Sequence, residues 1–107
     1  MCKDAYEFFI CRKGLYEREL FEDTLMINDA EKPIAVAGIM GGLDSEIVED
    51  TNTVVIESAT FLGANVRMSS KKLGLRTEAS GRYEKGIDPN LCEAAADRVC
   101  KLSLIHI

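Results

Sequence analysis

Histidine, closely spaced cysteines and long apolar runs are what this chain has least of. Its single histidine, His106, lies in the last residues, and the cysteines, Cys2, Cys11, Cys92 and Cys100, include no pair at CxxC spacing. A zinc site needs closely spaced ligands and disulfides need an oxidising compartment, so no metal is expected and the cysteines read as reduced thiols. The longest apolar stretches, such as Ile34 to Met40, fall far short of the ~20 residues that cross a bilayer. The N-terminus also lacks a basic region followed by an apolar core. These absences point away from a membrane and toward the cytoplasm. Basic charge is scarce as well: a formal charge of −5 argues against a nonspecific nucleic-acid binder, whose affinity rests on neutralising phosphates with Lys and Arg. The deficit is uneven. Residues 1–57 hold 5 basic and 13 acidic side chains, whereas residues 58–107 hold 8 and 5, so the second half is the better candidate for meeting an anion.

What is present is the material of a soluble globular domain. With 47% hydrophobic and 29% charged residues over 107 positions, there is apolar surface enough to offset chain entropy and room for one domain. Tyr6 to Cys11 is rich in strand formers, and Glu17 to Asp23 reads as a loop or short turn. Thr24 to Asn28 is expected to be a strand, turned by Asn28-Asp-Ala-Glu-Lys-Pro33 into a second strand over Ile34 to Met40, the two pairing as a hairpin. Gly41 and Gly42 end that strand, and Leu43 to Asn52 reads as a surface loop or brief helix. The β-branched run Thr53 to Ala59 predicts a strand buried on both faces at its centre. Asn65 to Leu73 predicts a basic amphipathic helix with Gly74 at its C-cap. Asp88-Pro89 predicts a capped helix that carries Leu91, Ala94, Ala95, Val99 and Leu102 at near-helical spacing. The order of elements implies an α+β fold, a mixed or antiparallel sheet with C-terminal helices. No stop signal precedes Leu102 to Ile107, so residues 103–107 are read as a non-native tail, and Met1 to Asp4 likewise.

Three features could carry chemistry. Ala37 to Gly42 has glycines that admit a close backbone approach, although a tight turn between strands is the plainer reading. Glu57 ends an apolar strand, where a carboxylate is costly unless it is paired or binds something; a salt-bridged strand end is the plainer reading. Leu75-Arg-Thr-Glu-Ala-Ser80, followed by Arg82, Tyr83, Glu84 and Lys85, offers hydroxyls, cations and an aromatic ring in a loop-like stretch, or simply a solvated polar segment.

In order and at family spacing, three blocks resemble the beta chain of bacterial phenylalanyl-tRNA synthetases. They are Asp29-Ala-Glu-Lys-Pro-Ile-Ala-Val-Ala-Gly-Ile-Met-Gly-Gly42, Val55-Ile-Glu-Ser-Ala-Thr-Phe61 and Leu73-Gly-Leu-Arg-Thr-Glu-Ala-Ser-Gly-Arg-Tyr-Glu-Lys-Gly-Ile-Asp-Pro89. The resemblance covers residues 19–102; residues 1–18 match poorly. It implies an incomplete piece of the domain that hydrolyses tyrosine wrongly joined to tRNA(Phe). Within it Gly41 is the implied pocket glycine, Glu57 the acid that recognises the tyrosine hydroxyl, and Thr77 and Ala79 the pocket walls. No catalytic residue is implied in this stretch, because the family's pocket also draws a histidine from preceding sequence. For the whole enzyme the resemblance implies ATP, magnesium and an alpha2-beta2 assembly with the alpha chain. The basic positions Arg67, Lys71, Lys72 and Arg76 are candidate tRNA contacts, or a solvated helix face. A free-standing editing or binding protein with the same domain, and an inactive structural module, are the competing readings.

Overall fold

The computed structural model describes residues 8–10 and 17–106. Within them the chain is α+β: short antiparallel strands come first and helices follow. Strand β1 (Phe8–Ile10) pairs antiparallel with β2 (Glu17–Glu19), Phe9 in register with Arg18. The Tyr6 to Cys11 run is thus a strand over its described part. Glu17 to Asp23, expected as loop or turn, opens as β2, because a short polar segment still forms a strand when a neighbour supplies the ladder.

A three-stranded antiparallel sheet has the order β3-β4-β5, from Met26–Asn28, Pro33–Val36 and Met40–Gly41. Asp29 makes the first turn. Its carboxylate accepts from the amides of Glu31 and Lys32, both at 2.7 Å, and the Lys32 amide bond leads in holding the Asp29 pKa below the ordinary carboxylate range. The second turn corrects the single strand expected over Ile34 to Met40. The chain reverses at Ala37–Ile39, where Gly38 takes φ 70° and the Ile39 amide donates to the Val36 carbonyl at 3.0 Å. A continuous apolar run conceals such a reversal, because only glycine adopts that conformation without strain. Leu43–Ser45 forms one 3-10 turn, within the range of the surface loop or brief helix expected there.

Helix α1 (Gly63–Leu73) buries Val66, Ser69, Ser70 and Leu73, one stripe at i, i+3, i+4 and i+7. It ends as the sequence predicts. Gly74 sits at φ 64°, its amide donating to the Lys71 carbonyl and the Leu75 amide to the Ser70 carbonyl, which is a Schellman closure. Val36, Ile39, Val66, Leu73 and Leu75 form the core between the β4–β5 turn and α1, with Phe61 and Tyr83 packed against it. Gly63 lets α1 approach the end of α2 (Glu78–Tyr83): a Cβ there would lie 2.8 Å from the Glu84 carbonyl oxygen.

The largest departure is at Thr53 to Ala59. The run pairs with no strand among the described residues, and Val55 is 91% exposed instead of buried. β-branched residues favour extended backbone, yet a strand exists only where a second strand accepts its hydrogen bonds. The last helix differs too. Asp88 caps a 3-10 turn at Pro89–Leu91, its carboxylate accepting from the Asn90 amide at 2.9 Å, and α3 runs over Cys92–His106. Helix α3 continues through most of the segment read as a tail. Leu91, Val99 and Leu102, periodic as a buried stripe should be, are exposed, because no described element covers them.

Candidate functional site

Between the β4–β5 turn, the segment before α1 and helix α2 lies a cleft of about 280 Å³. Gly41, Glu57 and Ala79, distant in sequence, all line it, with Met40, Phe61 and Tyr83. Each is held by a local cause. Gly41 stands in β5, and no atom lies within 4 Å of where its Cβ would be, so its bare backbone faces open space. Glu57 belongs to the segment before α1, which is tied down just beyond it: the Ser58 hydroxyl donates to the Cys92 carbonyl at 2.7 Å, and Thr60 Oγ1 lies 3.5 Å from Cys92 Sγ. Phe61 and Tyr83 stack at 5.2 Å between ring centroids, tilted by 49°, and both press on Gly38.

The stretch from Leu75 to Lys85, expected to be loop-like, is helical over Glu78–Tyr83, and Thr77 is the reason. Its hydroxyl accepts from the Ser80 amide at 3.1 Å, while Ser80 Oγ accepts from the Thr77 amide at 2.9 Å. This is a capping box with serine in the position usual for Glu or Gln. The same Thr77 hydroxyl donates to the Ile39 carbonyl at 2.8 Å, so it fastens α2 to the β4–β5 turn and does not itself line the cleft. Thr77→Ala is therefore expected to cost about 1–2 kcal/mol through loss of the cap, with Thr77→Ser retaining most of it. Urea unfolding of both variants checks this.

The electrostatics are those of a carboxylate beside apolar walls. Glu57 is exposed by area, yet the atoms crowding its carboxyl desolvate it and raise its pKa above the usual carboxylate range. Tyr83 is raised as well, first by desolvation, then by the negative charge of Glu57 and by Cys92. The sequence does not single out Phe61, and it offers Tyr83 only as an aromatic ring in a loop-like stretch. The available signal is the spacing of Ala79 and Tyr83, which share a helix face only once residues 78–83 are known to be helical.

The basic positions divide. Arg67, Lys71 and Arg76 line a second cleft, of about 710 Å³, whereas Lys72 turns away to pair with Asp23 at 2.7 Å and sits 5.5 Å from the Phe21 ring centroid. That pairing leads in lowering the Asp23 pKa. Among the described residues, no group of three or more His, Cys, Asp or Glu is placed to hold a metal ion, and no helix is long and apolar enough to cross a membrane.

A family model described as the B3/4 domain matches residues 5–106. The chain belongs to the B3/4 domain family. The phenylalanine-tRNA ligase beta subunit of Clostridium acetobutylicum is 60% identical over 86 residues, which are 80% of this chain and 11% of that protein. The same subunit of Clostridium tetani is 57% identical with the same coverage, and that of Bacillus subtilis is 52% identical over 91 residues, 85% of this chain and 11% of the relative. This B3/4 domain thus spans about a tenth of the length of the curated relatives it matches.

Proposed function

We propose that this B3/4 domain supplies the recognition half of a site that hydrolyses tyrosyl-tRNA(Phe), within a phenylalanine-tRNA ligase of the cytoplasm. The observation that carries the reading is the convergence of Gly41, Glu57 and Ala79 on one cleft. Its volume sits at the lower end for small-ligand clefts, about 300 Å³ and upward, a size suited to one amino-acid side chain. Apolar walls accept the ring of either tyrosine or phenylalanine. Glu57 separates them, because an ionised carboxylate accepts a hydrogen bond from a phenol and stays unpaired against a phenyl ring.

Gly41 and Ala79 keep the walls low where the ester and ribose would enter. In the reaction water attacks the ester carbonyl, the ester C–O bond breaks, and the terminal ribose hydroxyl of the tRNA leaves with a proton. Glu57 acts in recognition, and no residue of this chain is assigned as the base. ATP, magnesium, tRNA(Phe) and the alpha chain belong to the proposed whole ligase.

The test is Gly41→Leu in the intact ligase. Open space at the Cβ position predicts an unchanged melting temperature, while the new side chain takes up space at the edge of the cleft that Gly41 lines. Deacylation of tyrosyl-tRNA(Phe) is expected to fall by about tenfold or more, since ~1.4 kcal/mol of lost binding is a factor of ten. Unchanged deacylation with an unchanged melt would place the site elsewhere and favour a structural module.

A further inference from the structure

The second cleft shares no lining residue with the cleft that holds Glu57. Arg67 and Lys71 from α1, Arg76 from the α1–α2 connection and Lys85 beyond α2 line it, against the single carboxylate of Glu84. Four cations in one concavity are unexpected in a chain whose formal charge is −5. Their charge is little used internally. Arg76 reaches Glu84 only at 3.5 Å and remains largely exposed, and Arg67, Lys71 and Lys85 are exposed. Clefts lined by one sign of charge concentrate counter-ions more than a flat surface does.

We infer that this cleft binds the phosphodiester backbone of RNA, through Arg67, Lys71, Arg76 and Lys85. The assignment of RNA rests on the proposed aminoacyl-tRNA substrate. The positions of the two clefts agree with that division of labour. Helix α2 supplies Ala79 and Tyr83 to one, and Glu84 and Lys85, which follow it directly, line the other. An aminoacylated strand reaching from one to the other would place its amino-acid side chain at Glu57 and its backbone against the cations. Cations without an aromatic platform read phosphate and not base, so the cleft positions RNA without selecting its sequence. Lys72, although adjacent in sequence, is held by Asp23 outside the cleft and takes no part.

The experiment is fluorescence anisotropy of the full chain with a fluorescein-labelled single-stranded RNA of roughly a dozen nucleotides. About three phosphate contacts predict a log–log salt slope near −2, or about 20-fold weaker binding for a fourfold rise in salt. The triple variant Arg67→Gln, Lys71→Gln, Lys85→Gln is expected to lose at least about tenfold at low salt and most of that slope, at ~0.7 per cation removed. Lys72→Gln is the control and is expected to bind as the parent does; circular dichroism of each variant confirms an unchanged fold. Absence of salt-dependent binding, equal weakening by Lys72→Gln, or displacement of the RNA by an equal concentration of inorganic phosphate would each overturn the inference. Glu57 lies outside this cleft, so Glu57→Ala is expected to leave RNA binding intact, and failure here leaves the tyrosine-recognition reading untouched.

Discussion

Glu57→Ala in the intact ligase is expected to erase the preference for tyrosyl over phenylalanyl ester. A hydrogen bond to a charged group contributes about 1.5–3 kcal/mol, so the ratio of the two deacylation rates should fall by roughly 10- to 150-fold. Phenylalanyl-tRNA hydrolysis should rise or stay level, because the alanine wall no longer leaves a carboxylate unpaired against the phenyl ring. Glu57→Gln should fall between, retaining an acceptor without the charge. The pH dependence follows from desolvation, which raises the pKa of Glu57 in the fold. Selectivity should fade on acidification at a higher pH than an ordinary carboxylate would give, because protonation removes the charge that strengthens the hydrogen bond from the phenol. The stability effect has the opposite direction. A carboxyl whose folded pKa is raised favours the fold in its neutral form, a contribution present at low pH and lost as pH rises through the folded pKa. Pre-charged tyrosyl- and phenylalanyl-tRNA, followed across pH, read the selectivity. A rate ratio unmoved by Glu57→Ala would leave the B3/4 resemblance as a statement about the fold alone.

Leu73→Ala is expected to be strongly destabilising, at about 2–5 kcal/mol. Leu73 is 4% exposed and belongs to the five-residue core cluster between α1 and the β4–β5 turn. A core this small has few neighbours able to close a cavity, and a typical domain has only about 5–15 kcal/mol in total. Each kcal/mol lowers the melting temperature of a domain of this size by roughly 4–8 °C. Denaturant titration with far-UV circular dichroism gives the free energy directly. A loss under about 1 kcal/mol would mean that the core collapses around the missing side chain, or that Leu73 is not part of it.

Where local chemistry alone dictates the backbone, the sequence is readable. Gly74 ends α1 in the left-handed conformation that glycine adopts without penalty, Asp29 closes the β3–β4 turn with its own carboxylate, and Asp88 caps the turn before α3. Each of these depends on residues within a few positions. The stripe of Val66, Ser69, Ser70 and Leu73 is half legible: its period marks a helix, but the burial of two serines depends on neighbours brought from afar. The Ser70 hydroxyl donates to the Leu75 carbonyl at 2.6 Å, and that bond makes its burial tolerable.

Helix α2 is hidden in the sequence because its cap uses serine where the usual signature has Glu or Gln, and because six residues give too little periodicity to see. The strand expected at Thr53 to Ala59 fails for a different reason. Propensity sets the backbone of a single segment, whereas a sheet requires a second segment at hydrogen-bonding distance. The apolar face of α3 is the same case, since periodicity identifies the stripe but not what covers it.

By itself the sequence determined the α+β class, the β3–β4 turn, the caps at Gly74 and Asp88, and the blocks through which this chain resembles its B3/4 relatives. Those follow from short-range sterics and hydrogen bonding, which adjacent residues carry with them. Only the tertiary structure decided that Gly41, Glu57 and Ala79 share one cleft, that Thr77 braces the helix beside it, and that Lys72 leaves the other cations for Asp23. Contacts between residues tens of positions apart depend on how elements pack, and no local property of the chain specifies that.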